Sequence, residues 1–542
     1  MLRIRYFLFY FLFFTFYFLN CEAQSPKLVV GIVVDQMRYD YIDKYWNKFG
    51  NDGFKRLVNE GFFCKKTNYN YVPTFTGPGH ASIYTGATPA VNGIVSNQWI
   101  NRENRNPVYC AYDNTVNGVG SSTDAGKMSP QNLISSTIGE ELRKKFQNKS
   151  KVIGIALKDR GAILPAGHNP TAAYWYDGSN GNWISSTYYM KELPQWVNDF
   201  NKKESAKKYL SQPWTTLLPI ETYTESDADD NDCEQLLIGK EKPIFPYDLS
   251  ALMKDNGGLA LIKVTPFGNS LTKDFAVETI KNENLGKGSN TDFLCVSFSS
   301  TDYIGHQFGP QSVEVEDCYL RLDKELADLL KFLDEWAGKN NVLVFLTADH
   351  AAGESVPCLQ KKNIPSGVVD EKVISDSLKK FFLRTYSDTS LLMAVSDFDV
   401  YLDREKINKK NLNVANVSYK ASQYLMKMDG IAEALTATTI DEEKFQDSIR
   451  SKVKAGFYPN RCGDIIFVLK PHWLEGYHKG TSHGSPYEYD THVPLLWWGY
   501  TVKQGSSNEA ITITQIAPTV SKLLKIPKPS GCTSKPISSL VK

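Results

Sequence analysis

Several apolar runs of this 542-residue chain end on side chains that can hold a metal ion or an anion. The run GIVV leads into Asp35, and VSFSS leads into Thr301 and Asp302, with His306 four positions further on in TDYIGH. LVFLTA leads into Asp349 and His350, and KVIGIAL into Lys158, Asp159 and Arg160. A later segment, YHKGTSHGS, brings His478 and His483 ahead of the run VPLLWW. Carboxylate and imidazole are the ligands that zinc and similar divalent ions take, and three of the chain's eight histidines fall in this arrangement. Each residue alone has a plainer reading, because an aspartate after a strand usually caps a helix or closes a turn. Together they divide into two ligand sets. Asp302 and His306 can share one ion with His483, and Asp349 and His350 can share a second with Asp35. Two ions about 4 Å apart clamp the attacking and leaving oxygens of an in-line displacement.

A displacement also needs a nucleophile. The stretch YVPTFTGPGHASIYTG, residues 71–86, offers Thr74, Thr76, Ser82 and Thr85 as aliphatic hydroxyls, with His80 among them. Nothing inside the stretch selects one of them. Gly77 and Gly79 would allow close backbone approach there. Lys158 and Arg160 are two apart, so on an extended segment both side chains would point to one side. They would then clamp a doubly charged phosphate, the arginine contributing its planar fork.

The elements that must position these residues are strands alternating with helices. Runs rich in β-branched residues at 27–34, 151–157, 292–299, 341–347, 464–470 and 493–498 are apolar on both faces. That suits a sheet covered by helices on both sides. Helical spacing occupies 313–339, with Gly338 at its expected end, and 514–526. The alternation predicts an α/β fold with a largely parallel central sheet flanked by helices. Residues 165–285, with the acidic turn ESDADDND, and the Lys-rich residues 358–455, with a helix expected in EEKFQDSIRSKVKAG, read as cap-like insertions in one catalytic domain over 24–542. In open α/β sheets, ligands bind at the carboxyl ends of the strands.

In order, the segments VVDQMR, PTFTGPGHASIYTG, TDYIGH, TADH and GTSHGS resemble the alkaline phosphatase superfamily. Asn97 in VSNQW and the trio Lys158-Asp159-Arg160 resemble its PafA-type branch of exported, zinc-dependent phosphate monoesterases. The resemblance runs from Asp35 to about Thr519. It implies that Thr76 is the nucleophile and forms a phosphothreonine intermediate. It implies two zinc ions. One would be held by Asp35, Asp349 and His350 together with Thr76, and the other, facing the leaving group, by Asp302, His306 and His483. Asn97, Lys158 and Arg160 would contact the non-bridging phosphate oxygens. Thr74 and Ser82 would stabilise the loop and open a helix, and His80 would support the site without ligating.

The substrates expected are small phosphate esters of broad range. The nearest alternative is a phosphodiesterase or nucleotide pyrophosphatase on the same two-zinc core. A diester carries one negative charge fewer, so the basic pair favours a monoester. A sulfatase is disfavoured because neither Cys-x-Pro-x-Arg nor Ser-x-Pro-x-Arg occurs. A phosphoglycerate mutase is disfavoured by the export signal. A non-enzymatic alternative, a binding protein on an inactive phosphatase scaffold, would be marked by a lost ligand, and none is lost.

Bulk composition agrees. Lys+Arg 61 against Asp+Glu 60 leaves a net charge of +1, which makes no electrostatic case for nucleic acid as a partner. The N-terminus reads as a signal peptide over residues 1–23, with Arg3 and Arg5 before the apolar run Tyr6 to Leu19, so a periplasmic or secreted monomer is expected. That run is short of the ~20 residues a membrane span needs. Lipid attachment at Cys21 is a minor alternative. The eight remaining cysteines permit disulfides in an exported protein but form no CxxC pair.

Overall fold

The computed structural model describes residues 25–442 and 449–541. The signal peptide and Cys21 lie outside the described residues, as do positions 443–448 of the helix expected in EEKFQDSIRSKVKAG. On either side of those positions, Ala437–Glu442 and Ile449–Gly456 are helical. No helix among the described residues is long and apolar enough to cross a membrane.

A ten-stranded sheet forms the core. Its strands, numbered along the chain, are β1 (Leu28–Val34), β2 (Phe62–Asn68), β3 (Gly118–Val119), β4 (Val152–Ala156) and β5 (Ala172–Asp177). They continue with β6 (Asn182–Ser186), β7 (Asp292–Phe298), β8 (Val342–Thr347), β9 (His492–Gly499) and β10 (Gly505–Thr512). The spatial order is β10-β2-β9-β8-β1-β7-β4-β5-β6-β3. The contiguous block β8-β1-β7-β4-β5 is parallel throughout. Antiparallel strands flank it, β9 beside β8 and β6 beside β5. The central strands β1, β4, β7 and β8 are buried along their whole length. Helices cover them on both faces, which explains why those runs are apolar at every position rather than alternately.

The helices that matter for the site are α1 (Thr76–Thr85), α2 (Asp159–Ala166), α3 (Phe267–Asn282), α4 (Ser300–Phe308), α5 (Val313–Ala337) and α6 (Ile516–Leu524). Helix α5 ends at Gly338 with φ +83, a conformation glycine adopts without strain. Ser312 caps its other end by accepting from the Val315 amide.

One apolar run belongs elsewhere. Ile465–Leu469 joins a separate four-stranded antiparallel sheet with Leu392–Ser396, Asp399–Leu402 and Ile431–Thr436. It is apolar because that sheet packs its own core, with Ile374, Leu378 and Phe382. Length and hydrophobicity do not tell a strand of one sheet from a strand of another. A disulfide, Cys233–Cys358, ties the segment around 225–247 to the start of the later insertion. The other six described cysteines are free and buried.

Leu346 on β8 is fully buried in the main core, three residues before Asp349. Replacing it with alanine should lower unfolding stability by about 2–5 kcal/mol, read from denaturant midpoints, through lost burial and the cavity left behind.

Candidate metal centre and active site

Because β8, β1, β7 and β4 are parallel neighbours, their carboxyl ends lie side by side, spaced by the inter-strand distance of about 4.8 Å. Asp349 follows β8, Asp35 follows β1, Asp302 sits in the first turn of α4 after β7, and Lys158 follows β4. All four are buried, along with His350, His483 and Thr76. Two sets of possible ligand atoms lie within 4.8 Å of one another: Asp35, Asp349 and His350, and Asp302, His350 and His483. His306 reaches the second set through Asp302, with its Nε2 3.2 Å from Oδ1. His350 thus lies between the two sets, its ring stacked on that of His483 with centroids 3.5 Å apart.

The histidines are oriented alike. Nδ1 of His306 bonds the Thr481 carbonyl at 2.8 Å, Nδ1 of His350 the Ala351 carbonyl at 3.0 Å, and Nδ1 of His483 the Thr74 carbonyl at 2.7 Å. A carbonyl can only accept, so each ring carries its proton on Nδ1 and turns Nε2 toward the carboxylates. This is the tautomer that metal-ligating histidines adopt. The carboxylates fit as well. Oδ1 of Asp35 and Oδ2 of Asp349 are buried without a hydrogen bond, while Oδ2 of Asp35 meets the Lys158 ammonium. Such groups are costly unless paired or coordinated. The donor set of two aspartates and a histidine on one side, and an aspartate and histidines on the other, suits two zinc ions.

Lys158 stands in the middle. Its Nζ lies 2.8 Å from Asp35, 2.6 Å from Asp302 and 3.3 Å from the Thr76 hydroxyl. Burial disfavours its charge, but Asp302 and Asp35 outweigh that and hold its pKa above the usual lysine range. Burial is also the main force on Asp35, pushing its pKa up to about 6 against the pull of Lys158. Asp349 is also raised well above the carboxylate range, by burial and by the neighbouring Asp35 charge. Asp302 goes the other way: despite burial, His306 and Lys158 hold it well below the carboxylate range. Burial, together with the charge on His306, brings His483 down to about 4.

The extended geometry expected for Lys158 and Arg160 does not occur. Lys158 is the N-cap of α2 and Arg160 lies within its first turn. The chain turns into a helix immediately after β4, so residue spacing no longer places them on one side of a strand. Both still line the same cavity of about 440 Å³, with Thr76, Asn97, Asp302 and His483. Arg160 is oriented by the Tyr109 hydroxyl at 3.0 Å.

Thr76 opens α1, and its hydroxyl lies 3.4 Å from His350 Nε2. Thr74 turns away, donating to the Ser485 carbonyl at 3.1 Å. His80 spans the Thr76 carbonyl and the Ser297 hydroxyl, both at 2.9 Å, and so braces the turn instead of joining the ligands. Asn97 accepts from the Gly77 amide at 2.8 Å. Gly79 packs where a Cβ would stand 2.3 Å from the Asp349 carbonyl oxygen, so only glycine lets α1 approach that strand end. Residues that the sequence did not mark also contribute. Gln36, at φ +62, donates to Asp302 at 2.9 Å and, through its amide, to Asp349 at 3.2 Å. Tyr477 stacks on His306 at 4.8 Å. Its proximity to the motif histidines was the only signal available for it.

A mostly parallel α/β sheet with clustered aspartates, histidines and a helix-opening threonine at its carboxyl edge defines a metallohydrolase of the alkaline phosphatase superfamily. The chain belongs to the family described as Type I phosphodiesterase / nucleotide pyrophosphatase, whose model matches residues 29–493. It is 44% identical over 519 residues to alkaline phosphatase PafA of Elizabethkingia meningoseptica, covering 95% of this chain and 94% of that one. It is also 44% identical over 517 residues to alkaline phosphatase PhoV of Synechococcus elongatus, covering 95% and 93%. The crystal structure of wild-type PafA superposes with a TM-score of 0.92 at 43% identity, over 96% of this chain and 99% of that one. The chain is an enzyme of this phosphatase class.

With metal chelated, ionising Asp35 should cost stability. A raised folded pKa means the favourable contribution is complete below the unfolded value of 3.8 and is lost as pH rises through about 6. Between those limits the chelated protein should lose stability relative to its Asp35→Asn variant, and added zinc should reverse the difference because only the wild type keeps the Asp35 ligand. Parallel Tm curves for the two chelated proteins would contradict this.

Proposed function

We propose that the chain is an exported alkaline phosphatase that hydrolyses phosphate monoesters through a phosphothreonine at Thr76, with two zinc ions. The observation that carries this reading is the convergence of Thr76, two ligand sets and a basic pair on one cavity. Asp35, Asp349 and His350 would hold one zinc beside Thr76, and Asp302, His306 and His483 the other. Bound zinc would supply Lewis acidity, lowering the pKa of the Thr76 hydroxyl and balancing charge on the leaving oxygen. The relatives named alkaline phosphatase support the monoester assignment. So does a second PafA structure carrying replacements of one threonine, one asparagine, one lysine and one arginine, the residue types assigned here to nucleophile and phosphate contact.

The chain's own residues would act as follows. The start of α1 presents the Thr76 oxygen to phosphorus, with the helix fixed by the Gly79 contact and by His80. Arg160 and Asn97 hold the non-bridging oxygens. Once the carboxylates are neutralised by metal, the Lys158 ammonium is free to turn from them toward the phosphate, so one residue balances charge in both states. A monoester dianion uses both cations fully and a diester only in part. We also assign the chain to export through its N-terminal signal, to a single catalytic domain with insertions, and to a monomeric state.

Thr76→Ala should abolish labelling of the protein by radioactive phosphate and lower kcat by about 10³-fold or more, while Thr74→Ala should keep the label. Replacing Lys158 and Arg160 with alanine should reduce p-nitrophenyl phosphate hydrolysis more than hydrolysis of its bis-ester. Equal losses on the two substrates would remove the clamp role, and faster zinc-dependent turnover of the bis-ester by the intact enzyme would make this a phosphodiesterase.

A further inference from the structure

Away from the catalytic centre, two buried carboxylates, Glu234 and Glu314, and the half-buried Asp229 carry oxygens that no hydrogen bond satisfies. Glu234 is 1% exposed and Glu314 fully buried. Both oxygens of Glu234, Oε2 of Glu314 and Oδ1 of Asp229 carry no hydrogen bond. Glu314 Oε1 is held by the Tyr247 hydroxyl at 2.5 Å, and Asp229 Oδ2 by the Phe245 amide at 3.2 Å. Four acidic neighbours are compensated by cations: Asp230 by Lys242, Asp232 by Lys361, Glu316 by Lys48 and Asp317 by Arg321. Among the described residues, no ion pair reaches Asp229, Glu234 or Glu314. Lys240, which acts on Asp229 at longer range, spends its ammonium on the carbonyls of Ile244 and Pro246 and on the face of Tyr247. Burial, and after it the charges of Glu314 and Asp229, raises Glu234 to about 11, and burial raises Glu314 to about 8.

We infer that Asp229, Glu234 and Glu314 form an oxygen-lined site for a divalent cation of the calcium class, seated between the segment 225–247 and the first turn of α5. Calcium takes six to eight oxygen ligands at about 2.3–2.6 Å, so opposed ligand atoms stand up to about 5 Å apart. The two catalytic sets are the groups of at least three ligand atoms that meet a 4.8 Å spacing among the described residues. Asp229, Glu234 and Glu314 do not meet that spacing, so a cation would have to draw them together. All-oxygen donors favour calcium over zinc, which prefers nitrogen and sulfur, so the site and the catalytic centre need not compete for one ion.

The site would also act on the catalytic centre mechanically. The adjoining Gln235 amide donates to the Gln307 carbonyl at 2.9 Å, and its side chain donates to the carbonyls of His306 at 3.3 Å and Lys479 at 2.9 Å. The Gly480 amide in turn donates to the Cys233 carbonyl at 2.8 Å. Residues 233–235 therefore join the backbone of His306 to the loop that carries His483. A cation at Glu234 holds that junction without touching substrate.

The test uses the zinc-loaded enzyme, treated with EGTA and then titrated with calcium chloride at fixed zinc. Calcium at about 100 times its Kd should raise Tm by about 2–3 °C. Terbium alone should give emission excited through Trp214, whose ring lies 5.3 Å from that of Tyr247, and calcium should displace it. Glu234→Gln should remove both the Tm rise and the emission, and Trp214→Phe should remove the emission while keeping the Tm rise. If the carboxyls instead share protons, wild-type Tm will ignore calcium and Glu234→Gln will match wild type, which overturns the site. A Glu234→Gln protein that responds to calcium as wild type does overturns it equally. Should Glu234→Gln fail to fold, the wild-type titration and Trp214→Phe decide by the same readouts.

Discussion

Like charges held together in a dry place are the constraint on which the rest of this structure depends. Three aspartates end three adjacent strands, and their carboxylates would repel one another in a medium that screens poorly. The protein answers first with Lys158, paired to Asp35 and Asp302. It answers next with three imidazoles whose protons are all committed to backbone carbonyls. One ammonium cannot neutralise three carboxylates, and Oδ1 of Asp35 and Oδ2 of Asp349 are left without a hydrogen bond. The arrangement makes physical sense as a receptacle for positive charge.

That constraint organises the surroundings. The parallel block of strands sets the spacing of the aspartates, and the antiparallel strands beyond it complete the core without adding ligands. Helix α1 approaches close enough to offer Thr76 because Gly79 has no Cβ to collide with the Asp349 carbonyl. The late loop returns from the smaller sheet and lays His483 against His350. The insertions are more than covers. The hairpin between Leu392–Ser396 and Asp399–Leu402 reaches the cavity through Asp397, which bonds the Ser96 hydroxyl and the Gln98 amide on either side of Asn97. Its next residue, Phe398, stacks on Phe75 just before the nucleophile.

Much of this was legible in the residues themselves. Aspartate after an all-apolar run, a histidine four positions along the helix that follows, and an Asp-His pair at another strand end are local patterns. They survive because strand and helix periodicity are local too. The order of motifs along the chain marked the family, and Asp35, Asp302, His306, Asp349, His350 and His483 lie together at one sheet edge. Gln36 was not legible, because a glutamine in a left-handed turn has no distinguishing neighbour pattern. Nor was Tyr477, whose role depends on a ring 171 positions earlier in the chain, that of His306.

Residue types and their order determined the α/β class and the kinds of side chain offered as ligands, since those follow from side-chain functional groups and short-range periodicity. The choice of Thr76 among the hydroxyls came from the resemblance of the ordered motifs to a family. Only the tertiary structure decided which strands are neighbours, and hence that Asp349, Asp35, Asp302 and Lys158 line one edge in that order. It alone placed His350 between the two ligand sets, turned Lys158 onto the carboxylates, and put the 464–470 run in a different sheet. The reason is physical: strand order and charge pairing depend on contacts between segments hundreds of residues apart, and no local pattern carries that information.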